Sequence, residues 1–138
     1  MPFIRIWIHL IFSTKNRNKL ITSNLKPNLI EHIKTNAKQK EIRIDSINCM
    51  QDHLHILLSL GSEQSISKIA MLIKGESSFW INKNKLLNEK FEWQDEYYAV
   101  SVSESVVEKI RRYISNQEEH HRIKSFFEEY ENFMKEYK

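Results

Sequence analysis

Gln51-Asp52-His53-Leu54-His55-Ile56-Leu57-Leu58-Ser59-Leu60 is the stretch that decides how this chain folds. Successive side chains of a strand point to opposite faces, so Leu54, Ile56, Leu58 and Leu60 make one continuous apolar face for a core. His53, His55, Leu57 and Ser59 take the other face, which places two imidazoles on the same side of one strand. Side chains at i and i+2 reach a single ion, and the strand fixes their spacing. Neutral imidazoles are ordinary metal ligands. An isolated His-x-His also occurs as a plain pair of half-exposed strand histidines, so the motif needs a partner elsewhere.

Working outward, residues 3–12 are rich in β-branched and aromatic side chains and predict a buried first strand. The polar loop Ser13–Lys19 follows; its Lys15, Arg17 and Lys19 suit phosphates and its Asn side chains suit bases or sugars. From about Asn24 to Lys40, Leu25, Leu29, Ile30, Ile33 and Ala37 recur at helical spacing, with Pro27 in the first turn. Residues 42–50 predict a second strand whose apolar phase slips between Ile44 and Ile47, the sign of a bulge near Asp45-Ser46. The histidine strand is third.

Ser65 then caps a helix expected to reach about Trp80, with Ile66, Ile69, Ala70, Ile73 and Ser77 along its buried stripe. Gly75 inside it costs about 1 kcal/mol relative to alanine. Next to Lys74, it leaves room for close packing or for DNA to approach. Residues 82–96 are irregular; Lys83, Lys85 and Lys90 are basic, and Phe91 and Trp93 can pack or stack on a base. We read Trp93 as a core anchor. Tyr98, Val100 and Val102 alternate on a fourth strand. Ser105-Val106-Val107-Glu108 reads as a capping box starting a helix at about Val106. After a break at Glu118–His121, Ile123, Phe126, Phe127, Tyr130, Phe133, Met134 and Tyr137 outline an amphipathic terminal helix.

The order is β-α-β-β-α-β followed by two helices. Right-handed crossovers turn it into an α+β, ferredoxin-like (RRM-like) antiparallel sheet with additional C-terminal helices. First and third strands then lie side by side in the centre, and the histidines sit centrally on the open face, where a later helix can cover them.

A length of 138 residues sets one domain, residues 1–138, with enough chain for a proper core. The single Cys49 excludes a disulfide framework and points to a reducing compartment. No apolar run approaches the roughly 20 residues of a membrane span, and Met1–Arg5 does not open a signal peptide. We therefore expect a cytoplasmic protein with no membrane partner. Net charge is +3, unevenly spread: residues 1–50 carry nine Lys/Arg against three Asp/Glu, and residues 118–138 carry four against six. A basic first half is compatible with a polyanion without demanding one.

The partner that His-x-His lacked lies in Arg111-Arg112-Tyr113-Ile114-Ser115-Asn116-Gln117. Tyr113 and Gln117 are i and i+4 and share one helix face. A tyrosine attacks phosphorus when a metal polarises the phosphate and offsets charge in the transition state. The Gln117 carbonyl oxygen, one turn away, is a candidate third ligand.

His-hydrophobe-His on the third strand followed by Tyr-x-x-x-Gln after the fourth resembles the single-tyrosine HUH transposases of the insertion-sequence 200/605 group. The resemblance covers nearly the whole chain. It includes Phe12-Ser13-Thr14-Lys15-Asn16-Arg17, Asp52-His53-Leu54-His55, Ile73-Lys74-Gly75-Glu76-Ser77-Ser78, Trp93-Gln94, Ser101-Val102-Ser103 and the Tyr113–His121 block. Glu96 departs from it, because similar chains usually have glycine there. The resemblance implies cleavage and rejoining of single-stranded DNA, with Tyr113 as nucleophile and a 5′-phosphotyrosine intermediate. It implies that His53, His55 and Gln117 hold Mg²⁺ or Mn²⁺; ligand chemistry alone admits Zn²⁺ equally. It further implies a homodimer in which the tyrosine helix of one subunit completes the histidine site of the other. Hairpin ends would be held by basic residues, for which Lys15, Arg17, Lys19, Lys74 and Arg112 are the candidates. Three other readings stay open: a domesticated relative that nicks palindromic repeats, a non-catalytic single-strand nucleic-acid-binding module on the same fold, and a simple metal-dependent hydrolase, which the lack of a carboxylate cluster beside the histidines disfavours.

Overall fold

The computed structural model describes residues 3–116. Gln117 and the expected terminal helix lie outside the described residues. Within them the chain runs β1 (Trp7–Ser13), α1 (Leu25–Gln39), β2 (Arg43–Cys49), β3 (His53–Ser59), α2 (Ile66–Lys83), β4 (Tyr98–Val102) and α3 (Val107–Ser115), with short 3-10 turns at Lys15–Arg17 and Glu104–Val106. The sheet order is β2-β3-β1-β4 with every neighbour antiparallel. This is the ferredoxin-like arrangement, with β1 and β3 in the centre as expected.

Alternation along the two central strands builds the two sides. Ile8, Leu10 and Phe12 of β1 join Leu54, Ile56 and Leu58 of β3 in one core, against Leu29 and Ile33 of α1 and Ile69, Ile73 and Ile81 of α2. On the other side Leu57 and Val102 pack with Val107, Ile110 and Ile114 of α3. Ile11 meets Tyr113 there, flanked by Tyr98 and Val100. Helices therefore cover both faces, and every residue from His53 to Leu58 is buried.

Local chemistry sets the ends of the elements. Ser65 Oγ accepts a hydrogen bond from the Lys68 amide at 3.2 Å and caps α2 as expected. That helix continues past Trp80 to Lys83, because a further turn buries Ile81 completely. The start of α1 is served by Thr22, whose Oγ1 accepts from the Leu25 amide at 3.1 Å. At its end Glu41 takes φ 60°, the Ile42 amide donates to the Ala37 carbonyl at 2.9 Å, and the Glu41 amide donates to the Lys38 carbonyl at 3.2 Å. This closure usually takes glycine; here a glutamate accepts the left-handed strain so that Ile42 can bury.

The slip in β2 is where the apolar phase put it. Pairing with β3 shifts register between Ile44 and Ser46, leaving Asp45 at the irregularity. The capping box at Ser105–Glu108 does not form. The Val106 amide instead donates to the Ser103 carbonyl at 3.0 Å, a 3-10 turn results, and α3 starts at Val107 without a side-chain cap. Glu108 pairs with Arg111 one turn on.

Gly75 lies on the exposed side of α2, and a Cβ built there meets nothing within 4 Å. With no packing reason for glycine, Gly75→Ala should stabilise the fold by about 0.5–1 kcal/mol through restricted unfolded-state freedom. Urea unfolding checks this; a destabilised variant would show that the position needs glycine in the folded state.

Candidate active site

The turn before β3 does more than reverse the chain. Asp52 Oδ1 lies 2.7 Å from His53 Nδ1, while Oδ2 accepts from Arg17 Nε at 3.3 Å, with the Arg17 terminal nitrogen 3.2 Å away. Arg17 reaches it because Asn16 and Arg17 take left-handed φ values of 57° and 54°, folding the 13–18 loop back over the turn. Thr14, fully buried, stitches the two together: its amide donates to the Asp52 carbonyl at 2.9 Å, and its Oγ1 donates to the Asn18 carbonyl at 2.6 Å with the Asp52 carbonyl 3.2 Å away. Burial pushes the Asp52 carboxyl upward, but the contacts with His53 and Arg17 outweigh it and hold the group below the usual carboxylate range. With Nδ1 engaged by Asp52, Nε2 is the other nitrogen of the His53 ring.

His55 is oriented from the neighbouring strand. Its Nδ1 stands 3.0 Å from Nε2 of His9, and both residues are fully buried. Burial drives the His9 pKa from 6.5 down to about 3, so it stays neutral. The His53 and His55 rings lie 5.1 Å apart, nearly perpendicular. Among the described residues, no group of three or more His, Cys, Asp or Glu side chains is arranged to hold a metal ion. A metal here would need a further ligand from another residue type, from the residues after 116 or from substrate.

Tyr113 is brought to these histidines by α3. Its ring is 2% exposed, 6.0 Å from the His55 ring centre and 6.3 Å from that of His9, edge-on to both. Three devices seat the helix: Ile110 and Ile114 against Leu57, Asn48 Nδ2 donating to the Ile114 carbonyl at 2.8 Å, and a two-pronged contact of Arg111 with Asp45 at 2.8 Å for each nitrogen. The bulge in β2 thus carries Asp45 to the tyrosine helix. Hydrogen bonds from Arg111 hold the Asp45 carboxyl below its ordinary range. Tyr113 meets the histidines of its own chain.

The expected basic residues divide into two groups. Lys15 pairs with Glu92 at 3.0 Å, Arg17 with Asp52, and Lys74 Nζ donates to the Asp95 carbonyl at 2.8 Å beside the Phe12 ring. Lys19 and Arg112 are exposed. Sequence reasoning passed over His9, Asp52 as an orienting group, and Thr14. For His9 the deciding signal is the register: on the first strand it shares the face of Trp7 and Ile11, and Ile11 sits opposite His55.

The family described as Transposase IS200 like matches residues 3–117. Among curated proteins, the ISDra2 transposase TnpA of Deinococcus radiodurans is 28% identical over 115 residues, spanning 79% of this chain and 81% of that protein. The transposase for insertion sequence element IS200 of Salmonella typhimurium is also 28% identical, over 79% of this chain and 74% of its own length. A crystallised candidate transposase from Deinococcus radiodurans R1 superposes with a TM-score of 0.68 at 24% identity, covering 84% of this chain and 93% of that one. A REP-associated tyrosine transposase bound to a REP hairpin superposes at 0.66 and 15% identity, over 88% and 72%. At these identities the two superpositions speak for the fold.

Proposed function

The chain belongs to the IS200-like transposase family, and from that premise we propose that it cleaves and rejoins single-stranded DNA through Tyr113. The observation that carries the reading is the edge-on approach of the Tyr113 ring to His55 on a buried sheet face. In the proposed reaction the Tyr113 hydroxyl oxygen forms a bond to a backbone phosphorus. The bond from that phosphorus to the 3′-oxygen breaks, leaving a 5′-phosphotyrosine link and a free 3′-OH. The phenolic proton is lost to solvent and the departing oxygen takes one up. Attack by another 3′-OH reverses the step and joins new ends, so no external energy source is consumed.

His53 and His55 through their Nε2 atoms, with Gln117, would hold Mg²⁺ or Mn²⁺. The two histidines suit such an ion because each has its Nδ1 engaged by a neighbour, which fixes the ring and leaves Nε2 as the nitrogen to offer. Such an ion, when bound, would polarise the scissile phosphate and offset its charge in the transition state. The chain's own contribution is positional: α3 holds the phenol, and the sheet holds the imidazoles. We place tyrosine and histidines of one reaction in the same chain. The shared-site homodimer that the resemblance implies requires the Arg111–Asp45 and Asn48–Ile114 contacts to break and re-form across an interface.

For DNA we propose Lys19 and Arg112 as primary phosphate contacts, with Lys15, Arg17 and Lys74 contributing where their present partners yield. A hairpin ligand is suggested by the hairpin bound to the REP-associated relative. The test is incubation of the full chain with single-stranded DNA carrying a hairpin from the flanks of its own gene, with Mn²⁺, read on a denaturing gel. We expect a slow-migrating protein–DNA adduct that disappears with chelator. Tight binding with no adduct at any junction near the hairpin would leave a nucleic-acid-binding module instead.

The Asp52 contact gives a second prediction. Asp52→Asn keeps the shape but weakens the grip on His53, so Mn²⁺ affinity should fall about 10–100-fold with the fold intact. Isothermal titration checks it. An unchanged affinity would remove Asp52 from the site.

A further inference from the structure

We infer that His9 is a positioning residue: it accepts the Nδ1 proton of His55 and so fixes the tautomer that presents His55 Nε2 to a metal ion. This inference rests on the metal-dependent reading above. A neutral imidazole carries one proton, and a nitrogen that donates a lone pair to a metal cannot hold it. If Nε2 of His55 is the ligand, the proton is on Nδ1 and needs an acceptor, because an unsatisfied buried donor costs about 1–3 kcal/mol. The atom in reach is Nε2 of His9, 3.0 Å away in a fully buried contact. His9 is then an acceptor at Nε2 and carries its own proton on Nδ1. On the other ligand, Asp52 does the equivalent task for His53, at 2.7 Å. The two histidines are thus oriented by two different groups, a carboxylate from the turn and an imidazole from the adjacent strand.

Three other roles for His9 conflict with its surroundings. As packing, it is out of keeping with its neighbours: Trp7 and Ile11 share its face, and Ile11 and Tyr113 form an apolar cluster beside it. As a direct ligand it fails on placement, since no three such side chains among the described residues gather around one point. As a base for Tyr113 it would need an available lone pair, but in this tautomer Nε2 accepts from His55 and Nδ1 carries the proton.

The experiment uses the full chain without DNA. Mn²⁺ affinity is titrated in the parent, in His55→Ala, in His9→Leu and in His9→Gln. The parent should bind, and His55→Ala should lose binding. His9→Leu should lose about 10–100-fold, as is usual when an orienting partner of a metal-bound histidine is removed. His9→Gln, whose amide oxygen can still accept from His55 Nδ1, should recover most of that loss. A parent that binds no Mn²⁺ overturns the metal reading and this inference with it. A parent that binds, with His9→Leu unchanged, overturns the role of His9 alone. Equal loss in both His9 variants at unchanged thermal melting reduces His9 to filling space and also overturns it. Independently of any variant, long-range ¹H–¹⁵N correlations in the Mg²⁺-loaded parent report the tautomer directly. A His55 proton on Nδ1 is expected, and one on Nε2 overturns the inference.

Discussion

Tyr113→Phe should abolish the protein–DNA adduct while leaving folding and Mn²⁺ binding at parental levels. Phenylalanine keeps the ring that packs on Ile11 and faces the His9 and His55 edges, and loses only the hydroxyl. A single polar atom removed without a cavity is a mild change, so thermal melting should barely move. Activity is a different matter. Removing the nucleophile of a covalent mechanism leaves only the contributions of binding and electrostatics, a loss of at least about three orders of magnitude. Metal affinity serves as the internal control, because the phenol is not among the proposed ligands. An adduct that persists at the parental rate would move the nucleophile elsewhere. Tyr98, half-buried beside Tyr113, is the side chain to replace next.

The split between retained metal binding and lost adduct also separates the competing functions. A binding module would show no adduct in either protein. A domesticated nickase and a mobile-element transposase would both show the same dependence on Tyr113, since they differ in the DNA around the gene.

Much of this arrangement was legible because two-residue periodicity assigns a face before any tertiary contact is known. Leu54, Ile56 and Leu58 went to one core and His53, His55 and Leu57 to the other side as the alternation required. The bulge at Asp45 was legible for the same reason, as a break in phase. Its partner was not. Nothing in the spacing of Asp45 and Arg111 announces a contact across 66 residues, because it depends on how α3 lies over the sheet. His9 was hidden by composition: in a strand of aromatic and β-branched residues, a histidine reads as one more buried position until the β1–β3 register is known. The failed capping box shows the reverse limit. Ser105 and Glu108 have the spacing, but Ser105 lies inside the 3-10 turn Glu104–Val106 and the Glu108 carboxylate pairs with Arg111 instead. Basic residues were the least legible of all, since the side chains that pair with them, Asp52 for Arg17 and Glu92 for Lys15, lie far away in sequence.

Trp93→Ala should cost about 3–5 kcal/mol, the range for deleting a buried aromatic side chain. The indole is 7% exposed and sits edge-on between Phe12 and Phe91, with centroids 4.7 Å from each. Its Nε1 donates to Ser77 Oγ at 2.9 Å, and Ser77 in turn donates to the Ile73 carbonyl at 2.7 Å. One side chain therefore ties β1, α2 and the 85–97 segment. Truncation opens a cavity and deprives the buried Ser77 oxygen of its donor. Trp93→Phe keeps most of the apolar contact and forfeits the hydrogen bond, so its cost should be nearer about 1 kcal/mol beyond the lost volume. The two variants should differ by about 1 M in urea midpoint if the slope is about 2 kcal/mol/M. The effect reaches the site as well. Trp93 bridges Thr14, and the Gln94 amide donates to the Ser13 carbonyl at 2.8 Å. Through them the loop carrying Arg17 is held against Asp52. Trp93→Ala should therefore weaken Mn²⁺ binding even at temperatures where it stays folded, whereas Trp93→Phe should not. Stability left intact with DNA binding lost would instead mean that Trp93 stacks on a base, and the core role assigned to it would be wrong.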